Sequence, residues 1–157
     1  MLEKRVVIRD HLWPLINLCV RPDQRDLVSS NMKTFAEAPF ETGSCVWGLW
    51  VGTVPVGLMA MVHPRECPFH KEGDDCNAAY LWRLMIAADH QGQGHGRVAI
   101  GMALAVARNW GCLRLTASVS DVAHSNMGFY ERLGFRWTGR FDDGERVITR
   151  DVGDLPP

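Results

Sequence analysis

Gln91-Gly92-Gln93-Gly94-His95-Gly96 stands between an apolar β-rich run, Ala79-Tyr80-Leu81-Trp82-Arg83-Leu84-Met85-Ile86, and a stretch from Arg97 to Trp110. That stretch is apolar nearly all round, at Val98, Ile100, Met102, Leu104 and Val106, as expected of a helix buried on several sides. A strand that passes through glycines into a buried helix predicts a chain of the α/β type. Glycines at 92, 94 and 96 allow backbone dihedrals that a side chain disfavours and leave several N–H groups around one concavity. Together with the positive end of the helix dipole, those donors form a seat for phosphate oxygens. The spacing excludes two other phosphate loops. A dinucleotide fingerprint needs GxGxxG, and a Walker A loop needs Lys-Ser/Thr where Arg97-Val98 follows. His95 is expected to offer its N–H rather than its imidazole, and Arg97 either reaches a phosphate or is solvated.

Outward from this turn, Lys4–Arg9 reads as a first strand, and Asp10 as the cap of a helix from His11 to Cys19. Pro22 opens a second helical segment to Ala38, broken near Ser29-Ser30-Asn31. Thr42 to Val62 carries no charge over 21 residues, the length of a membrane span. Yet Gly52-Thr53-Val54-Pro55 reads as a turn between Val46–Val51 and Val56–Val62, so a hairpin explains the stretch better. His63 to Asn77 is a long polar loop. Leu113–Val119 is a strand, and Ala123–Leu133 is an amphipathic helix stopped by Gly134. A last hairpin joins Phe135–Phe141 to Arg146–Asp151 around Asp142-Asp143-Gly144. With no repeat or linker, residues 1–157 are expected to form one mixed α/β domain.

Composition narrows the function. Of 157 residues, 46% are hydrophobic and 22% charged, which is globular rather than disordered. Seventeen basic against eighteen acidic side chains give a net charge of −1, offering no global attraction to nucleic acid or to anionic membrane. Neither is expected as a partner. Five cysteines without a CxxC pair, and an N-terminus too short in apolar residues for a signal peptide, predict a cytoplasmic protein.

The turn fits Gln/Arg-x-x-Gly-x-Gly/Ala and so resembles the acetyl-coenzyme A pyrophosphate loop of the GNAT acetyltransferase superfamily. A second stretch, Asn126-Met127-Gly128-Phe129-Tyr130-Glu131-Arg132-Leu133-Gly134-Phe135, resembles that family's late helix. The order of elements follows the family from Lys4 to Asp151. The Tyr80–Ile86 strand and the Thr138–Val147 hairpin are further similar to bacterial polyamine and small-amine acetyltransferases. The resemblance implies a mixed, mostly antiparallel twisted sheet with helices on both sides. It also implies acetyl-CoA as cosubstrate, and transfer of the acetyl group to a primary amine of a small molecule by direct attack. Backbone groups of Leu84, Met85 and Ile86 would pair with the pantetheine arm as an added strand. The pyrophosphate would lie on Gln91, Gly92, Gln93, Gly94, His95, Gly96 and Arg97. Tyr130 would be the general acid for the departing thiolate, since a phenol near pKa 10 donates a proton readily to sulfur. A homodimer is left open by the same likeness.

Two departures from the family pattern keep a non-catalytic acyl-CoA-binding or sensing domain as the alternative. The family's asparagine falls at Ala123, so Asn126, one turn before Tyr130, either replaces it on the cofactor arm or merely caps the helix. The Ala79–Ile86 strand also lacks a glutamate base. Asp121, just past the Leu113–Val119 strand, is the candidate catalytic base, with Glu37 and Glu41 as acids on the acceptor side. Trp47, Trp50 and Trp82 either line an acceptor pocket or pack a core. His63, Cys67, His70 and Cys76 carry the ligand chemistry of a tetrahedral zinc site, but their spacing fits no well-known finger; no metal is the expectation, with a zinc-loop interaction module as a third alternative.

Overall fold

The uncharged stretch and the strands around it join in one seven-stranded sheet. The structure, a computed structural model, describes residues 1–153; the last four positions of the expected domain lie outside them. In chain order the elements are β1 (Leu2–Val6), α1 (Arg9–Ile16), α2 (Asn31–Glu37), β2 (Ser44–Val51), β3 (Val54–Val62), β4 (Ala78–Ile86), α3 (His95–Asn109), β5 (Arg114–Ser120), α4 (Met127–Arg132), β6 (Arg136–Asp142) and β7 (Glu145–Asp151). The strand order is β1-β2-β3-β4-β5-β7-β6. Every neighbouring pair is antiparallel except β4 with β5.

That parallel pair is brief. Only Ala78, Ala79 and Tyr80 of β4 pair with Arg114, Leu115 and Thr116 of β5. From there each strand keeps its outer partner, β4 with β3 and β5 with β7, and the two lose each other. A register shift between Ala60 and Met61 leaves Trp82 as an extra residue in β4, opposite no partner. Such a bulge bends its strand and sharpens its twist, here where β4 turns away from β5.

Side chains alternate across the strands. Met59, Met61, Ala79, Leu81, Leu115, Ala117 and Val119 point to one face, where they pack with Ala99, Ile100, Ala103 and Leu104 of α3. The opposite face carries α1 and α2 over β3 and β4. There Asn31 donates from Nδ2 to the Leu15 carbonyl at 2.8 Å, so a buried amide ties α2 to α1.

Several boundaries differ from the sequence reading. Asp10 lies in the first turn of α1 rather than at its cap, which is Ile8. The second helical segment is two pieces: a 3-10 turn at Pro22–Gln24 and then α2, which Ser30 caps by accepting from the Lys33 N–H at 3.2 Å. The expected helix from Ala123 begins only at Met127. Residues before it form a turn in which Ser125 N–H donates to Val122 O, and His124 sits 2.8 Å from Asp26. The local Ser125 bond competes with the first helical turn, and the long-range His124 contact holds the turn in place.

Strands β3 and β4 approach closely at Gly57, where an added Cβ would lie 2.3 Å from the Met85 carbonyl oxygen. Gly57→Ala must therefore push β4 aside and is expected to cost about 1–3 kcal/mol of stability. Urea titration of the variant, read as a lower midpoint at an unchanged slope, checks this.

Candidate active site

Past Tyr80 and Thr116 the gap between β4 and β5 becomes a small cavity of about 100 Å³. Leu81 and Leu84 line it from β4, Ala117 and Ser118 from β5, Asn126 and Tyr130 from the α4 region, and Glu145 from the start of β7. On the face away from α3 it adjoins a larger cavity of about 870 Å³ beneath the 63–77 loop. Tyr80, Trp82, Arg83, Ser118 and Glu145 line both and form the passage between them. The bulge at Trp82 explains why Trp82 and Arg83, adjacent in sequence, both face this passage.

At the other end of the gap stands the glycine turn. Gly92 (φ +75°) and Gly94 (φ +83°) adopt the left-handed region, and a Cβ on either would meet nothing within 4 Å. The space above the turn is therefore open, and glycine is needed there for the backbone itself. Gly94 is the cap of α3 and provides no side-chain cap bond; Val98 N–H is bonded to the Gly94 carbonyl. The N–H groups of His95, Gly96 and Arg97 in the first turn have no intrahelical acceptor. Gln91 plays a part that sequence alone did not show. Its amide nitrogen donates to Ile86 O at 2.9 Å and to Gln24 Oε1 at 2.7 Å, fastening the turn to the end of β4. Gln93 reaches only the Asp89 carbonyl, at 3.4 Å, and Arg97 is exposed.

Gly96 links the turn to α4. A Cβ there would fall 3.1 Å from the Phe129 ring. Beside Phe129, Tyr130 is 7% exposed and edge-on to both Phe129 and Phe135, with centroids 5.1 and 5.4 Å away. The sequence Tyr130-x-x-x-Gly134-Phe135 has a physical reading here. Gly134 (φ +83°) ends α4 with its N–H on Glu131 O, and Phe135 N–H returns to Tyr130 O. This helix stop folds the Phe135 ring back against Tyr130. The Tyr130 hydroxyl makes no hydrogen bond to any described residue and looks into the small cavity. Burial, and secondarily the nearby Tyr80, push its pKa well above the phenol range, so it holds its proton. Tyr80 is held differently, its hydroxyl 3.3 Å from Ser118 Oγ.

The remaining residues singled out from sequence separate. Leu84 and Asn126 line the small cavity. Met85 is buried on the other face, against the Asn31 amide. Asp121 lines neither cavity; it lies 2.9 Å from Arg146 Nε, beyond the end of β5, where the strand no longer aims its side chain into the gap. Glu37 is bound by Arg83 at 2.9 Å, and Glu41 lines the larger cavity. Trp82 lines both cavities, while Trp50 is 6% exposed and packs on His11. His63 stacks on Trp110, and Cys76 is exposed. Among the described residues no three His, Cys, Asp or Glu side chains are grouped to hold a metal, so the four ligand-type residues of the loop do not converge. Its acids serve as ties instead. Asp74 meets Arg140 at 2.9 Å, Asp75 meets Arg114, and Lys71 meets Asp142 at 2.6 Å. Nor is any described helix long and apolar enough to cross a membrane; the uncharged 42–62 stretch is the β2–β3 hairpin.

Residues 8–135 match the family described as Acetyltransferase (GNAT) family. Human N-acetyltransferase 8B is 27% identical over 125 residues, covering 80% of this chain and 50% of the relative. The chain spans about half the length of the curated relatives it matches. Among solved structures, an aminoglycoside acetyltransferase in complex with coenzyme A aligns over 96% of this chain and 95% of its own, with a TM-score of 0.77 at 14% identity. The PaiA N-acetyltransferase of Thermoplasma acidophilum, also in complex with coenzyme A, aligns over 96% and 99%, with a TM-score of 0.66 at 14% identity. These likenesses show the same fold.

The chain has two tyrosines, and burial raises the pKa of both, at Tyr80 partly offset by the Ser118 bond. A raised folded value gives stability that is complete below the unfolded phenol value near 10 and is lost as pH climbs through the folded value. Alkaline titration at the phenolate absorbance should show both phenols of the native chain ionising above the value of the unfolded chain, and Tyr130 only together with unfolding, followed in parallel by circular dichroism.

Proposed function

The chain belongs to the GNAT acetyltransferase family, and on that premise we propose that it transfers an acetyl group from acetyl-coenzyme A to a primary amine by direct attack. The observation that carries this reading is the free Tyr130 hydroxyl in the gap between β4 and β5, with the open glycine turn at one end and a roomy cavity at the other. Both CoA-bound structural neighbours share this fold.

The residues present fit the cosubstrate. Open space over Gly92 and Gly94, with the free first-turn N–H groups of α3 behind it, suits a pyrophosphate without a cationic side chain. The edge of β4 from Leu84 to Ile86 faces the gap without a β5 partner, so an amide-bearing arm can pair there like a strand. Asn126 lines the same gap and can bond that arm. The thioester then lies against Tyr130. As the amine nitrogen forms its bond to the carbonyl carbon, the carbon–sulfur bond breaks, and the sulfur leaves with the electron pair. Tyr130 gives the sulfur its proton and takes one back from the product nitrogen.

The acceptor enters through the larger cavity. Lys71 offsets Asp142 and Asp143 there, and Glu41 and Glu145, which line it without an ion pair of their own among the described residues, support a small amine that arrives as a cation, such as a polyamine. A cytoplasmic setting accords with five cysteines lacking a CxxC pair.

The test follows thiol release from acetyl-coenzyme A with spermidine, lysine, kanamycin and a peptide bearing a free α-amine. Tyr130→Phe runs beside the wild type, with coenzyme A affinity measured by calorimetry. Amine-dependent release that falls about 100-fold in the variant, at unchanged affinity, is the expected result. Binding without release on any of the four amines would favour the sensing domain, and absence of binding would overturn the reading altogether.

A further inference from the structure

The acceptor amine reaches the site as an ammonium ion and must lose a proton before it can attack, so the location of a carboxylate in the passage matters. Asp74, Asp75, Asp142 and Asp143 of the larger cavity are each held by a cation, Arg140, Arg114 or Lys71. Glu41 and Glu145 make no ion pair or hydrogen bond through their side chains among the described residues. Among the described carboxylates, Glu145 alone lines the small cavity as well. Its register explains this position. Glu145 pairs with Ser120, Val147 with Ser118 and Thr149 with Thr116. Directly opposed residues of an antiparallel pair share a face. Glu145 therefore stands in the row that faces the acceptor, at the wide end of the gap, while Tyr130 reaches the same gap from α4.

We propose that Glu145 is the general base of the transfer, accepting the proton of the acceptor ammonium at the passage between the two cavities. This inference rests on the acetyltransferase reading above. The carboxylate takes one proton from the ammonium and releases it to solvent through the larger cavity. The freed amine makes the carbon–nitrogen bond, and its second proton restores the Tyr130 phenol after the sulfur has been protonated. Burial raises the pKa of Glu145 above the ordinary glutamate value, the Arg83 guanidinium opposes this, and Asp142 and Asp143 add to it. A raised value makes the carboxylate a better proton acceptor. Tyr80 on β4 and Tyr130 on α4 also face the passage, and both remain protonated there. Lys71 is occupied with Asp142 and Asp143. Arg146, next in sequence, is turned to Asp121.

The experiment compares kcat/KM against pH for wild type, Glu145→Gln and Glu145→Asp, using whichever of the four amines turns over fastest. Melting curves and coenzyme A calorimetry accompany each variant. Glu145→Gln should lose about 100-fold at pH 7 with coenzyme A affinity unchanged. The loss should shrink towards pH 9.5, where bulk solvent supplies free amine, and Glu145→Asp should recover part of the rate. A merely structural role would not give that alkaline rescue. Wild-type kcat/KM in Glu145→Gln, or a loss that stays constant across pH, overturns the role of Glu145 and leaves the acetyltransferase reading intact. A wild type that binds coenzyme A but releases no thiol with any amine overturns both.

Discussion

Two parallel strands that pair for three residues and then part set the terms for everything else in this fold. Had β4 and β5 stayed together past Tyr80 and Thr116, the backbone groups of Leu84 to Ile86 would be satisfied within the sheet, and Tyr130 would face packed side chains. The parting has a cost, because backbone donors and acceptors along both inner edges go without strand partners. It is sustained from outside the gap. Along the gap β4 keeps β3 and β5 keeps β7 as outer partners, α3 packs beneath both, and the bulge at Trp82 gives β4 the twist to diverge. A cavity that requires such support is better explained by what enters it than by packing.

The parts of this arrangement that depend on near neighbours were legible in the sequence. Glycines 92, 94 and 96 announced a strand-to-helix turn with free N–H groups, and Tyr130 through Phe135 announced a helix stopped by glycine. Asp142-Asp143-Gly144 announced the last hairpin, which closes with Asp143 and Gly144 both left-handed. Long-range pairing was not legible. The family resemblance, which set Leu84 to Ile86 against the pantetheine arm as an added strand, implied an open edge, but no local pattern in Ala79–Ile86 shows that its partner leaves after three residues, or that one residue is extra. The candidate carboxylates were hard to rank from sequence for the same reason. Asp121 looked close to the active edge because it follows β5 directly. Glu145 comes to that edge only through the register of β7 on β5, which no local pattern records.

Tyrosine and glutamate stand in contrast within one gap. Both are partly withdrawn from water, and in both the neutral form gains. For Tyr130 the shift keeps a proton available to give; for Glu145 it strengthens the affinity for a proton to be taken. The same loss of solvent thus sets a phenol that keeps its proton on α4 and a carboxylate with raised proton affinity on β7, the pairing that the proposed transfer asks of an acid and a base.

The 63–77 loop leaves β3 and returns into β4, yet its charged side chains reach the other half of the sheet. Asp75 holds Arg114 on β5, Asp74 holds Arg140 on β6, and Lys71 holds the turn between β6 and β7. A sheet divided along its middle invites its halves to open and melt as separate cooperative units. The loop acts against that as a clasp across the acceptor face, while α3 spans the opposite face. Since the clasp is ionic and lies near solvent, its grip weakens as salt shortens the range of charge. The two halves are therefore expected to hold together best at low ionic strength, and to gain independence of one another as ionic strength rises.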